Sequence, residues 1–306
     1  MFPRIVQIPL PFEVLGTDTL TIYSFGAMLA VAFLMAAWLT RLELDRLYTN
    51  GRLPSVRMRV PSGGKGKGKK PRMVDVSPSH LVGTMTVIAI AGGLVGAKVF
   101  HILENLGEFA ANPFSMIFST GGLTFYGGLI VAAASILWYM RKHRVPMALL
   151  SDAVLPTVLL AYGIGRIGCH LAGDGDWGLP SDPSMRPDWL PGWLWGETYP
   201  ANILGRTLPE TGVYPTPLYE FGMAAVFFGI LWVLRKHPFR PGWLFSLALM
   251  FFGVERFLIE QIRVNNTFEL FGMSVTQAEV ISVVLMVAGL TGLILTTRMR
   301  EGRSRT

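Results

Sequence analysis

Apolar stretches of about 20 residues recur along the whole chain, the length an α-helix needs to cross a hydrocarbon core of roughly 30 Å. Seven can be placed, near residues 20–39, 80–103, 123–140, 149–171, 217–234, 243–262 and 275–296. In lipid every backbone polar group has to be satisfied inside the segment, and these runs lack the alternating pattern of a barrel strand, so helices are expected throughout. With 51% hydrophobic and 15% charged residues and a mean hydropathy of +0.44, the chain is too apolar for an ordinary soluble domain. The expected fold class is all-α: one integral membrane domain over residues 1–306, with seven transmembrane helices.

Basic residues in short loops set the orientation of such a bundle. Arg41, Arg46, Arg52, Arg57, Arg59, Lys65, Lys67, Lys69, Lys70 and Arg72 follow the first span, and Arg141, Lys142, His143 and Arg144 join the third to the fourth. Arg235, Lys236 and Arg240 lie between the fifth and sixth, and Arg298, Arg300, Arg303 and Arg305 form the tail. The loops between these are poor in basic residues, so the N-terminus is expected outside and the C-terminus in the cytoplasm. The net charge of +7 is then accounted for by loops facing anionic headgroups, and nucleic-acid binding is not expected. Residues 1–19 carry Arg4, Pro9, Pro11, Glu13 and Asp18 and lack a clean apolar core, so no cleaved signal peptide is expected.

Residues 61–72, PSGGKGKGKKPR, have nothing to bury and read as a basic cytoplasmic linker. Gly63 with Gly68 and Lys69 comes close to a phosphate-binding loop, yet Lys70 stands where the Mg²⁺-binding hydroxyl belongs and no strand precedes it. Gly163, Gly165 and Gly168 spell GxGxxG inside a span, without the βαβ unit that gives this pattern meaning. A single cysteine, Cys169, excludes an intramolecular disulfide and a CxxC metal site. The stretch 172–215, rich in Pro, Gly and Trp, is expected to form a small outer-face cap with tryptophans at the interface.

Ionisable groups within spans are expensive, and each is a functional candidate. Arg166 stands among glycines near the outer end of the fourth span. Arg256, Glu260 and Arg263 recur at i, i+4 and i+7 and so share one face of a helix, with Glu255 a quarter-turn away. The bland reading of that stripe is a helix-end ion-pair ladder that fixes register. Against it stands Arg166 on another span, since two arginines from different helices can clamp a phosphate by bidentate hydrogen bonds, and phospholipid supplies the phosphate there. Tyr126, between small residues at the outer start of the third span, reads equally as a packing residue or a catalytic one. His101 and His170 lie near outer span ends, where either can serve as a general base or as a hydrogen-bonded structural residue. Cys169 and His170 are adjacent on a helix and point about 100° apart, which argues against a thiol activated by its neighbour.

Four stretches in this order, GGLTFYGGLI at 121–130, GRIGCHLAGDGDWG at 165–178, YPTPLYE at 214–220 and ERFLIEQIR at 255–263, resemble the prolipoprotein diacylglyceryl transferase family over nearly the whole chain. The resemblance implies a multi-pass protein of the bacterial inner membrane that moves the diacylglyceryl group of phosphatidylglycerol onto the lipobox cysteine of a preprolipoprotein. Glycerol-1-phosphate leaves, and neither metal nor cofactor takes part. It also implies that Arg166 and Arg256 are the essential arginines, that Glu260 and Arg263 are the charged positions after them, and that Gly178 is the glycine closing the signature.

The chain departs from the family pattern at several points. Tyr126 stands where well-known members carry a histidine, Phe25 replaces a tyrosine, Cys169 and His170 fill an Asn-aromatic position, and Asp174-Gly175-Asp176 replaces a shorter acidic turn. The general base stays open: His170 or Asp174 can compensate for the lost histidine, while a phenol of ordinary pKa near 10 suits Tyr126 better to orienting a phosphate. A lipid- or lipoprotein-binding homologue without catalysis is the alternative. A transporter would require inverted repeats with broken helices, and the sequence contains no such repeat.

Overall fold

The computed structural model describes residues 2–14, 17–60, 72–119, 122, 124–270 and 272–301. Most of the basic linker (61–71), Gly121, and the tail arginines Arg303 and Arg305 lie outside the described residues.

In chain order the elements are β1 (Arg4–Val14), β2 (Thr17–Tyr23), α1 (Ser24–Thr49), β3 (Val56–Val60), β4 (Arg72–Val76), α2 (Val82–Glu104), and the short α3 (Leu106–Ala111) and α4 (Pro113–Phe118). There follow α5 (Phe125–Lys142), α6 (Met147–Ala172), α7 (Gly192–Trp195), α8 (Thr216–Leu234), α9 (Trp243–Glu260), β5 (Thr267–Leu270), β6 (Met273–Thr276) and α10 (Gln277–Glu301). The protein is mostly helical, as its composition requires. Three antiparallel two-stranded hairpins, β1–β2, β3–β4 and β5–β6, interrupt the all-α expectation. The first precedes α1 and the other two occupy connections between helices, where short runs such as Val56-Arg-Met-Arg-Val60 alternate with period two rather than 3.6.

Among the described residues, five helices are long and apolar enough to cross a membrane: Ser24–Thr49, Pro78–Glu104, Met147–Ala172, Thr216–Leu234 and Gln277–Thr297. The other two apolar stretches are also helices, α5 and α9 of 18 residues each. Charge sets them apart: Arg141 and Lys142 end α5, and Glu255, Arg256 and Glu260 lie in α9.

The chain forms two compact units, residues 37–150 and residues 1–36 with 151–306. In the first, α2 and α5 pack through small residues. A Cβ at Gly128 would stand 2.8 Å from the Gly93 carbonyl oxygen, so the backbones meet at a distance no other residue allows.

In the second unit α6, α8 and α9 share a core of Leu159, Ala224, Leu231, Leu244, Leu247 and Ala248, with the rings of Phe227 and Phe251 stacked at 4.5 Å. A polar latch fixes its register. Asp152, near the start of α6, accepts from the backbone N–H of Gly242 at 2.8 Å and of Phe245 at 2.7 Å, satisfying donors that the first turn of α9 leaves without helical partners. From this latch α6 and α9 run in the same direction. Arg166 on one and Arg256 on the other each stand fourteen residues beyond it, roughly 21 Å along the axes. Asp152→Ala is expected to cost about 1 kcal/mol or slightly more and to lower the melting temperature in detergent, with Asp152→Asn recovering part of the loss. Unchanged melting of the alanine variant would show that the latch does not hold the two helices.

Candidate active site

Three guanidiniums converge on one buried carboxylate. Glu220, the sole charged residue of α8, is fully buried and lies 2.8 Å from Arg166 Nε, 3.6 Å from Arg256 Nη1 and 3.5 Å from Arg263 Nη1. An apolar helix does not bury a lone charge without compensation, and here the compensation comes from α6, α9 and the residues after α9. Arg256 also pairs with Glu260 one turn on, at 2.8 Å, and Asn265 Nδ2 donates to the other Glu260 oxygen at 2.7 Å.

Asp176 is the second shared anion. One of its oxygens pairs with Arg166 Nη1, the other accepts from Arg263 Nη2 at 2.5 Å, and its carboxylate bridges the two cations. Burial acts to raise its pKa, but the guanidiniums of Arg166 and Arg263 outweigh burial and hold the carboxyl below its ordinary value. Asp174 shows the opposite balance, since burial pushes its carboxyl up.

The local backbone explains why Asp176 sits there. Thr216 Oγ1 donates to the Asp176 carbonyl at 2.5 Å, and the N–H groups of Gly178 and Leu179 donate to the carbonyls of Tyr214 and Ile262. This stitching draws the signature loop against both the start of α8 and the end of α9. Gly178 is required at the seam, because a Cβ there would stand 2.5 Å from the Ile262 carbonyl oxygen and 2.9 Å from Thr216 Cγ2.

Of the residues singled out in the sequence, Arg166, Arg256, Glu260, Arg263, Gly178 and Asp174 belong to this one neighbourhood. The helical stripe is interrupted: α9 ends at Glu260, and Arg263 reaches the cluster from an isolated bridge with Gly178. His170 turns elsewhere. Its Nδ1 lies 3.1 Å from the hydroxyl of buried Tyr199, a residue held at φ 44°, and the Trp177 ring packs beside that phenol at 5.2 Å. Tyr126, in the first turn of α5, belongs to the other unit and is exposed at 43%.

Cys169 Sγ and carboxylate oxygens of Asp174 and Asp176 lie within 4.8 Å of one another, a spacing a cation can use. The chain supplies cations of its own at that point, since both Asp176 oxygens already serve Arg166 and Arg263. Glu220 and Asp176 are the members of the cluster that were not read from the sequence as site residues. A lone acid in an otherwise uncharged 19-residue helix was the available signal for the first. The second depended on knowing that 176 and 263 meet.

A profile of the prolipoprotein diacylglyceryl transferase family matches residues 65–295, which include every residue of the arginine–carboxylate cluster. The chain belongs to that family. A relative named phosphatidylglycerol–prolipoprotein diacylglyceryl transferase from Chromohalobacter salexigens is 32% identical over 79% of this chain and 75% of its own length. Relatives of the same name from Corynebacterium diphtheriae and Aliivibrio salmonicida are each 28% identical, covering 71% and 94% of this chain and 78% and 87% of their own.

Arg166→Ala leaves Glu220 and Asp176 short of a cation, a change that costs about 3–5 kcal/mol for a buried pair. Arg166→Lys keeps the charge without the planar fork, so it is expected to stay folded in detergent while anion binding weakens by about tenfold or more. Equal anion affinity in a folded lysine variant would show that the fork is not used. The Asp176 carboxyl is depressed on folding, so its contribution to stability is complete above the unfolded value of about 3.9 and is lost as pH falls through its lower folded value. The melting-temperature gap between native protein and Asp176→Asn is therefore expected to stay constant from pH 8 to 5 and to close only below about pH 4.

Proposed function

We propose that the protein transfers the diacylglyceryl group of phosphatidylglycerol to the lipobox cysteine of a preprolipoprotein, the first step of bacterial lipoprotein maturation. Release of glycerol-1-phosphate defines the bonds involved. The cysteine sulfur forms a bond to the glyceryl carbon, the carbon–oxygen bond to phosphate breaks, and the departing oxygen keeps the electron pair as part of a phosphate monoester. The thiol proton is removed by a base, and no metal or cofactor is needed.

The observation that carries this reading is the meeting of Arg166, Arg256 and Arg263 at Glu220, the one charged residue of its helix. Such a group of donors can hold the phosphodiester in place and neutralise the charge that grows on the leaving phosphate. Arg256 stays a quarter exposed, so one guanidinium remains open to a ligand while the others are more deeply held. Arg166, Arg256, Glu260, Arg263 and the Gly178 seam form the phosphate-binding part. Tyr126, His170 and Asp174 are the candidates for orienting the headgroup or accepting the proton.

The setting is one integral domain of the bacterial inner membrane with seven spans, N-terminus out and C-terminus in. Basic residues ending α5 and following α8 support that orientation. The loop with exposed Trp189 and Trp193 then caps the outer face, where the signal peptide of the lipoprotein arrives.

Two observations favour the alternative, a lipid- or lipoprotein-binding homologue. The His170 ring nitrogen is engaged by Tyr199, and Tyr126 replaces the family's histidine. Transfer of labelled diacylglyceryl from phosphatidylglycerol to a lipobox peptide, by purified protein in detergent, decides between the two. Robust transfer is expected, abolished in Arg256→Lys and largely kept in Cys169→Ala. A fall of about a hundredfold in Tyr126→Phe or His170→Ala alone would identify the base, on the scale of general acid–base catalysis. Phospholipid binding without transfer by the native protein would move the conclusion to the binding homologue.

A further inference from the structure

A clamp of three arginines has a difficulty at the end of the proposed reaction. The phosphodiester that enters carries one negative charge, while the monoester that leaves approaches two at neutral pH, as phosphate monoesters with a second pKa near 6 do. The guanidiniums therefore hold the product more tightly than the substrate.

Of the carboxylates paired with the arginines, one differs in kind. Glu220 and Glu260 are anchored on helices, with side chains 0% and 1% exposed, whereas Asp176 lies on a loop with its side chain 31% exposed. Its backbone is fixed through Thr216, so its carboxylate can leave by side-chain rotation alone. It takes one oxygen to Arg166 and the other to Arg263, which is how a phosphate would span the same two guanidiniums. Charge makes the same distinction within the direct ion pairs: three arginines meet Asp176, Glu220 and Glu260, and this paired set is balanced only until another anion arrives, since the neighbouring acids Glu255 and Asp174 add no positive charge.

We propose that Asp176 is an internal anion that occupies the phosphate seat between Arg166 and Arg263, gives way to a phospholipid headgroup, and returns to displace glycerol-1-phosphate after transfer. With Asp176 rotated out, a phosphodiester restores neutrality. With a monoester in the seat the set carries excess negative charge, and Asp176 competes for the arginines it has just released. The return step rests on the transferase reading, whereas the competition for the seat does not.

Equilibrium binding of glycerol-1-phosphate to the purified full-length protein in detergent tests this. Asp176→Asn is expected to bind about tenfold tighter than the native protein or more, the scale of one lost charge-assisted competitor. Asp176→Glu, which keeps the charge, is expected to stay near the native affinity. Steady-state transfer by the asparagine variant should be inhibited at correspondingly lower glycerol-1-phosphate. Equal or weaker binding by a folded Asp176→Asn protein overturns the proposal. If that variant does not fold, infrared difference spectra of the native protein, with aspartate 13C-labelled at the side-chain carboxyl, are recorded with and without saturating glycerol-1-phosphate. A carboxylate band that moves from its arginine-paired position to that of a free carboxylate supports displacement of Asp176, and an unchanged band refutes it. Both binding measurements are made without turnover, so a protein that transfers nothing to a lipobox peptide while Asp176→Asn binds tighter would reject the transferase and keep the internal anion.

Discussion

Glu220 is the interaction on which the rest of the site depends. Three arginines brought together in a medium of low dielectric repel one another, and each carries a desolvation penalty of several kcal/mol. One buried carboxylate within 3.6 Å of all three turns that repulsion into mutual attraction and fixes how far apart the guanidiniums stand. Glu220 has no hydrogen-bond partner of good geometry among the described residues, so the attraction is one of charge proximity and leaves acceptor and donor capacity in the cluster unspent. A buried ion cluster is weak evidence for stability, because apolar residues of similar volume would often hold the helices as well. The one charge of an otherwise apolar helix stands where three arginines meet it, which is what the proposed phosphate site requires.

The helices explain how the cluster is placed without rigid loops. The Asp152 latch sets α6 and α9 in parallel register at one end, and equal residue counts carry Arg166 and Arg256 to the same height at the other. The core shared between them, with Leu159 of α6, Ala224 and Leu231 of α8, and Leu244, Leu247 and Ala248 of α9, resists sliding because packed cores do not deform continuously. The loop residues come second. Backbone bonds from 178 and 179 to 214 and 262 pull the signature loop across the ends of α8 and α9, and only glycine at 178 lets the strands approach so closely.

Periodicity and the cost of lipid made the helices legible, because each apolar run is long and uniform and leaves a chain in a bilayer little choice. Arg166 and Arg256 were legible for the same reason: a charge inside such a run stands out. Arg263 was legible as a residue and misjudged as geometry, since helical spacing was extended three residues past the point where α9 stops. Glu220 was visible within its motif but needed its partners to acquire meaning. The hairpin β3–β4 escaped the helical reading because its five-residue strands are too short for period two to stand out against the basic linker. His170 illustrates the limit of residue type. An imidazole near a span end suits a base, but its engagement by Tyr199, 29 positions away, is a fact of the folded chain.

The two shared carboxylates divide the work by where they are attached. An anion on a helix interior, with no exposed surface, cannot leave without taking apart the core, so Glu220 sets a constant field in which the arginines stay charged and aligned. An anion on a loop, a third exposed, sees the same arginines from the side open to ligands and can exchange with them. A site with Glu220 alone would carry excess positive charge and hold any phosphate that reached it. A site with both on helices would be neutral and closed. Turnover of phosphate between apolar helices needs the field to be fixed and the competitor to be movable, and this chain gives each property to a different residue.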